Sequence, residues 1–242
     1  MIFTEFKGAR VLVTGCASGI GLAQAKAFLN QGAIVYGLDK APMPYELSCD
    51  FHFFQIDLRE TKALEVVLEQ IEVIDILLNT AGVLDDYRSL EMTDLADFRA
   101  TLSVNLVSIF VTTKHFLPSM LRRKRGVIVN MCSIASLVAG GGGISYTTSK
   151  HALAGFTKQL ALDYAARGIK VNAIAPGAIE TPMNLKDFAG DGKLALEVAE
   201  LTPLKRWGKA SEVADLTLFL ASKSSDYLQG VIVPLDGGWT LK

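Results

Sequence analysis

Two hydrophobic patterns alternate along the chain. The first is a short, nearly continuous apolar run rich in β-branched residues, which is typical of a strand buried on both faces. These runs lie at residues 10–14, 33–38, 51–56, 73–79, 126–131, 169–174 and 230–235. Longer helical stretches lie at residues 19–31, 60–70, 93–121 and 146–167. Strands that alternate with helices predict a parallel sheet with right-handed crossovers and helices on both faces.

One connection departs from this alternation. After Asp39 the chain reads KAPMPYELSCD, which holds two prolines and is too short for a full helix. We therefore expect a loop between the second and third strands. No internal repeat, low-complexity segment or linker divides the sequence, so residues 1–242 are predicted to form a single domain.

Composition narrows the classes of function. The chain is 50% hydrophobic and 20% charged with a net charge of −1, which gives no reason to expect nucleic acid or an anionic membrane surface as a partner. No signal-peptide pattern opens the sequence, and no apolar run approaches the length of a membrane span. Cys16, Cys49 and Cys132 lack metal-ligand spacing, so we expect no metal site and reduced thiols in a cytoplasmic protein.

The first predicted strand leads into a glycine-rich turn. Gly15, Gly19 and Gly21 follow it, and an amphipathic helix then runs to Gly32. Unpaired N–H groups at a helix N-terminus suit a pyrophosphate, and glycine lets the backbone approach that ligand closely. The spacing G-x-x-x-G-x-G differs from the G-x-G-x-x-G of most dinucleotide folds. The strand before it, the helix after it and an acid at the end of the second strand make dinucleotide binding the preferred interpretation.

That acid is Asp39, 18 residues beyond Gly21. A carboxylate there accepts hydrogen bonds from the adenosine ribose hydroxyls and repels a 2′-phosphate. Ser18 on the glycine loop offers no cation, and Lys40 is the one neighbour that would soften this preference. The sequence therefore predicts NAD (NADH) as the cofactor, with NADP less favoured.

Eight short motifs, in this order, resemble the short-chain dehydrogenase/reductase family over essentially the full length. They are TGCASGIG (14–21), DL (57–58), NTAG (79–82), SVNL (103–106), NMCS (130–133), YTTSK (146–150), PGAIET (176–181) and LDGG (235–238). The family's usual N-N-A-G has Thr80 at its second position here, which we expect to leave cofactor binding intact. The resemblance implies an α/β fold, a Rossmann-like, doubly wound, seven-stranded parallel sheet in the order 3-2-1-4-5-6-7 with helices on both faces.

The resemblance also implies a catalytic set of Asn105, Ser133, Tyr146 and Lys150. Tyr146 and Lys150 are four residues apart, so a helix places them on one face. A free phenol has a pKa near 10, and we expect the Lys150 ammonium, with the positive charge of the oxidised nicotinamide close by, to lower that of Tyr146 so that it serves as acid and base. Ser133 would hold the substrate oxygen, and Asn105 would anchor a water that relays protons from Lys150.

The family's cofactor contacts carry over onto matching positions. Asp57 would accept from the adenine amino group, residues 79–82 would pass under the adenosine ribose, and Thr181 would face the nicotinamide carboxamide. The implied cofactor-binding residues are Gly15, Ser18, Gly19, Ile20, Gly21, Asp39, Asp57, Leu58, Asn79, Ala81, Gly82, Tyr146, Lys150, Pro176, Gly177, Ile179 and Thr181.

The substrate is less constrained. The chain is similar to bacterial 3-oxoacyl-thioester reductases in ARGIKVNAIAPGAIETPM, and Lys124 and Arg167 stand where those enzymes dock their acidic acyl carrier. We expect specificity to lie in residues 181–208. The resemblance also implies a homotetramer.

Two alternatives remain open. Asp39 suits oxidation with NAD, and the loop after it resembles NAD-dependent dehydrogenases of cyclic dihydrodiols. A catalytically silent, dinucleotide-sensing regulator on the same fold is the other, although the intact catalytic set argues against it.

Overall fold

A computed structural model of the protein describes residues 3–241. The strands are β1 (Arg10–Thr14), β2 (Ile34–Asp39), β3 (Phe51–Gln55), β4 (Ile76–Asn79), β5 (Gly126–Met131), β6 (Ile169–Pro176), β7 (Ile179–Glu180), β8 (Gly208–Lys209) and β9 (Ile232–Leu235). The α-helices are α1 (Gly19–Asn30), α2 (Thr61–Glu69), α3 (Leu95–Leu102), α4 (Ser108–Arg123), α5 (Ile144–Tyr164), α6 (Lys193–Leu201) and α7 (Ala210–Ala221).

Seven strands form one parallel sheet in the order β3-β2-β1-β4-β5-β6-β9. Alternate residues of β1 serve different faces: Val11 and Val13 pack with Phe28 of α1, whereas Leu12 packs with Leu68 of α2. Helix α7 joins the first layer, and α4 and α5 join the second. The sheet order and the helices on both faces confirm the predicted fold.

Two connections position the site. Residues 40–50 contain no helix, as predicted for the loop between β2 and β3. The second connection was not predicted: β7 and β8 pair in parallel, with Ile179 opposite Gly208 and Glu180 opposite Lys209. The expected specificity segment therefore runs out from the fold at β7 and returns to it at β8.

Helices α3 and α4 are continuous through a π-helical turn, Ser103–Val107. By length and composition alone, the stretch Leu95–Arg123 would suffice to cross a membrane, contrary to the expectation that no apolar run is long enough. Three residues of this stretch are buried: Asn105 and Thr112 make hydrogen bonds within the fold, and Phe116 packs in the apolar core. Packing inside the domain thus accounts for part of its composition, since about a third of its most apolar window is buried.

Candidate active site

Two adjoining cavities, about 450 Å³ and 340 Å³, open where the carboxyl ends of the central strands meet. This edge is where open α/β sheets bind their ligands. The residues common to both linings are Ile20, Thr80, Gly82, Leu84, Thr181 and Met183. Every predicted site residue lines one cavity or the other except Asn79 and Asn105, which are fully buried.

The glycine loop forms one wall of the larger cavity. Gly15 has φ +73°, and a Cβ there would lie 2.9 Å from the Ala81 Cα. A Cβ on Gly21 would lie 2.0 Å from the Gly15 carbonyl oxygen, so only glycine fits at this position. Ser18 is the N-cap of α1 but makes no side-chain cap hydrogen bond. The first turn of α1 therefore offers backbone N–H groups beside a cavity, a cradle that fits a pyrophosphate.

The far end of this cavity holds Asp39. Its Oδ2 accepts from the Ala17 N–H at 2.9 Å and its Oδ1 from the Ala41 N–H at 2.9 Å. These two bonds fix the carboxylate at the end of β2, where adenosine ribose hydroxyls would meet it. The geometry fits the predicted role.

Sequence reasoning missed Arg59, which lines the same end together with Lys40. Its guanidinium donates to both carboxylate oxygens of Asp57, at 2.6 Å for Nη2 to Oδ2. This hydrogen bond holds the pKa of Asp57 below its usual range. An adenine amino group would therefore share the Asp57 carboxylate with Arg59, and that contact stays a prediction.

The side chain of Asn79 faces away from both cavities, and the predicted passage of residues 79–82 under the adenosine ribose stays a prediction. Its Nδ2 donates to Asn130 Oδ1 at 2.8 Å, and its Oδ1 accepts from Thr112 at 2.8 Å. The side chain thus points into the interior and joins β4 to β5 and α4. Thr80, the departure from the family motif, donates to Gln24 on α1 at 2.6 Å.

The smaller cavity holds the predicted catalytic trio. Ser133 follows β5, and Tyr146 and Lys150 lie one turn apart on α5, all three with less than a tenth of their surface exposed. Lys150 Nζ is 5.5 Å from the centroid of the Tyr146 ring and donates to the Met131 carbonyl at 2.7 Å. Ser133 Oγ accepts from the Ala135 N–H at 3.1 Å. The trio therefore meets at one wall of the cavity, as the helical spacing predicts.

The protein's own groups do not lower the pKa of Tyr146, and the lowering expected with the charged nicotinamide close by stays a prediction. Burial raises the pKa of Tyr146 to about 12, although the adjacent Ser133 hydroxyl acts to lower it. Burial also lowers the pKa of Lys150 to about 8. Among the protein's own groups, desolvation of the phenolate outweighs the hydrogen bond from Ser133, so Tyr146 is a neutral phenol at neutral pH.

Asn105 lies behind the trio in the π-helical turn. Its Oδ1 accepts from the Val83 N–H at 2.9 Å, and its Nδ2 donates to the Val83 carbonyl and to Ser149, each at 3.0 Å. The side chain therefore ties the segment after β4 to α5. The water relay expected of Asn105 stays a prediction.

Sequence reasoning also missed Asp85. Its buried carboxylate accepts from the Gly143 N–H at 2.8 Å and from the Tyr146 N–H at 2.9 Å. It thereby caps α5, which begins at Ile144, two residues before the predicted start. The only available signal was an acid shortly after NTAG, which by itself indicates nothing about a helix about 60 residues further on.

A dinucleotide cradle, a carboxylate at the end of β2 and a buried Ser–Tyr–Lys trio define an NAD(P)-linked dehydrogenase site. Comparison with known proteins agrees, since residues 15–240 match the family described as Enoyl-(Acyl carrier protein) reductase. The chain belongs to the short-chain dehydrogenase/reductase family, and it is an oxidoreductase of CH–OH groups. This result sets aside the catalytically silent regulator.

Relatives extend over nearly the whole chain but differ in their named reactions. A 2-dehydro-3-deoxy-D-gluconate 5-dehydrogenase of Bacillus subtilis is 38% identical, over 97% of this chain and 96% of that protein. A 2-(R)-hydroxypropyl-CoM dehydrogenase of Xanthobacter autotrophicus is 37% identical, covering 95% and 97%. A 3-oxoacyl-[acyl-carrier-protein] reductase of Thermotoga maritima is 35% identical, covering 97% and 98%.

Solved structures show the same fold. The aldohexose dehydrogenase of Thermoplasma acidophilum superposes with a TM-score of 0.92 at 29% identity, over 99% of this chain and 97% of that one. A gluconate 5-dehydrogenase of Burkholderia cenocepacia, in complex with NADP and tartrate, gives 0.90 at 29% identity over 99% and 98%.

Proposed function

We propose that the chain interconverts a secondary alcohol and a ketone with NAD(H), and that Tyr146 moves the hydroxyl proton. When bound, the nicotinamide supplies or accepts the hydride. Ser133 donates a hydrogen bond to the substrate oxygen, and Tyr146, a neutral phenol, protonates that oxygen during reduction. The Lys150 ammonium stabilises the phenolate that remains. The observation that carries this proposal is the buried Ser133, Tyr146 and Lys150 at one wall of the cavity.

The preference for NADH rests on Asp39. Two backbone N–H groups hold its carboxylate in place, so a 2′-phosphate would meet a negative charge that cannot turn away. Lys40 and Arg59 line the same end and favour a phosphate, but Arg59 is already paired with Asp57. Titration with NADH and NADPH tests this, and comparable affinities would contradict it.

For the substrate we propose a 3-oxoacyl thioester, reduced at its keto group. Support comes from relatives named 3-oxoacyl-[acyl-carrier-protein] reductases at 34–35% identity. The first experiment is NADH and NADPH oxidation by the purified protein with an acetoacetyl thioester. Fast turnover with NADH is expected.

The second candidate is oxidation of a cyclic diol with NAD. The helix-free connection at residues 40–50 favours it, because this feature led to the resemblance with cyclic dihydrodiol dehydrogenases. Absence of thioester turnover in a protein that still binds NADH tightly would support this candidate.

We propose an acyl carrier as a partner that docks at Lys124 and Arg167. Lys124 and Arg167 precede β5 and β6, at the edge of the sheet opposite Ser133 and Tyr146. A carrier docked there would have to extend its thioester arm across the length of a strand, about 17–20 Å, to reach the cleft of the same chain. We also propose that the protein is a homotetramer and that it is cytoplasmic. Phe110 on α4 supports the assembly, because it is half exposed beside the groove between α4 and α5. A monomeric mass in solution would contradict it.

A further inference from the structure

Beyond the catalytic and cofactor residues, the smaller cavity is walled by apolar and aromatic side chains. They are Tyr87, Ile134, Met183, Leu194, Val198, Trp207 and Trp239. Trp207 is fixed, because its indole N–H donates to the Ala195 carbonyl at 2.8 Å and its ring packs on Phe188 at 4.8 Å between centroids. Such walls favour the carbon skeleton of an apolar substrate.

Among the described residues of this lining, the charged side chains are Lys150 and Asp187. Lys150 is 3% exposed, donates to the Met131 carbonyl and stands beside Tyr146, so the reaction itself uses its charge. Asp187 is half-buried in the turn Pro182–Phe188 and makes no hydrogen bond or ion pair within residues 3–241. The substrate end therefore carries one negative charge, on Asp187, that no hydrogen bond or ion pair within residues 3–241 neutralises.

Three basic side chains near the substrate end do not compensate this charge, because each pairs with another carboxylate. Lys186, next to Asp187, pairs with Asp86 at 2.9 Å. Arg206, next to Trp207, pairs with Glu212 at 2.7 Å. Arg88 pairs with Asp97 in the same way. A substrate carboxylate would thus meet Asp187 without a free cation from these described residues to receive it, and like charges in a partly desolvated site repel strongly.

We propose that the cleft selects uncharged ketones and secondary alcohols, and that Asp187 rejects substrates carrying a carboxylate. This inference rests on the proposed function and narrows it. It separates the chain from relatives of similar sequence that are named for sugar acids, including the 2-dehydro-3-deoxy-D-gluconate 5-dehydrogenase at 38% identity. The expected substrate is an uncharged, apolar molecule, and an esterified 3-oxo acid meets that description.

The test compares ethyl acetoacetate with acetoacetate, which present the same keto group with and without a charge. At low ionic strength we expect kcat/KM with NADH to favour the ester by about 100-fold, and added salt to narrow the ratio. Asp187→Asn should reduce that ratio about tenfold, and Asp187→Lys should reduce it further. Glu197→Gln removes the same charge from α6, outside both cavities, and should leave the ratio unchanged.

Each contrary result has a distinct meaning. Acetoacetate reduced as well as its ester would overturn the inference while leaving the proposed reaction in place. A ratio that Asp187→Asn does not move, or that Glu197→Gln moves equally, would remove Asp187 from the selection. No reduction of either compound by a protein that still binds NADH would remove the proposed 3-oxo substrate, and the inference with it.

Discussion

The two ends of the cleft are built in different ways. The cofactor end consists largely of backbone, with Gly15 and Gly21 bringing the chain close to itself and two amide N–H groups holding Asp39. The substrate end consists of side chains from distant segments, among them Tyr87, Asp187 and Trp207. The first construction leaves local motifs in the sequence, because glycine spacing is a property of neighbouring residues. The second leaves none, since its members meet only after folding.

Tyr146, at the junction between the two ends of the cleft, should be the position at which substitution lowers activity most. Tyr146→Phe removes the proton that reduction needs, so kcat should fall about a thousandfold, a typical size for loss of a general acid. NADH binding should stay within a factor of about two, because only the hydroxyl is lost and the aromatic ring remains. Single-turnover rates and NADH fluorescence titration separate the two quantities.

The matched control for this variant is the preceding residue. Ser145 is buried, and its hydroxyl has no partner among the described residues. Ser145→Ala should therefore retain the parent kcat. A Tyr146→Phe enzyme within tenfold of the parent would disprove the role of Tyr146.

At the cofactor end, a substitution that displaces the backbone of the glycine loop should weaken NADH binding. A Cβ at Gly21 would lie 2.0 Å from the Gly15 carbonyl oxygen, so Gly21→Ala must displace the loop that would receive the pyrophosphate. We expect NADH affinity to fall about 100-fold, equivalent to about 2.7 kcal/mol. Isothermal titration measures it directly.

Gly155→Ala is the control for that substitution, because a Cβ at Gly155 would meet nothing within 4 Å. It should bind NADH like the parent. Equal losses in both variants would indicate a general effect on folding rather than on the cradle.

This contrast also explains what the sequence could and could not reveal. The alternation of strands and helices and the Tyr146–Lys150 pair follow from local periodicity and spacing, whereas the strand order follows from the family resemblance, and the structure confirms all three. Asn79 is the last residue of β4, and its side chain points into the interior rather than toward the cofactor. A sequence motif does not specify on which side of the strand a side chain lies. Strands of two residues, such as Ile179–Glu180, are too short to show any period.

The pH dependence probes the electrostatics of the junction. Burial raises the pKa of Tyr146 to about 12 and lowers that of Lys150 to about 8. Tyr146 therefore keeps its proton across the neutral range, whereas Lys150 is cationic below about pH 8 and loses its charge above it. The kcat/KM for reduction, which reports the free enzyme, should be level below this pKa and about tenfold lower one pH unit above it.

Lys150→Arg identifies the group that titrates. Arginine keeps its charge throughout this range, so the fall above about pH 8 should disappear even if the variant is slower overall. A fall with the same midpoint in the variant would assign the transition to another residue.

The smallest expected effect is that of replacing Asp85, which caps the helix that carries Tyr146. Its carboxylate accepts from the Gly143 and Tyr146 N–H groups, and in an Asp85→Asn variant the new side-chain amide would turn a donor toward one of them. One buried N–H then loses its partner, at a cost of about 1–3 kcal/mol in stability, and the start of α5 shifts. We expect kcat to fall about fivefold with the KM for NADH nearly unchanged, because Tyr146 moves while the glycine loop does not.

A capping residue elsewhere distinguishes this positional effect from simple destabilisation. Asp94 caps α3, accepting from the Asp97 N–H at 2.8 Å, so Asp94→Ala, which removes the cap, should lower the melting temperature without lowering kcat. If both variants lost kcat in proportion to stability, Asp85 would be only a structural cap. If Asp85→Asn alone lost kcat, the segment after β4 would set the position of the acid, and the substrate end would depend on residues that no local motif marks.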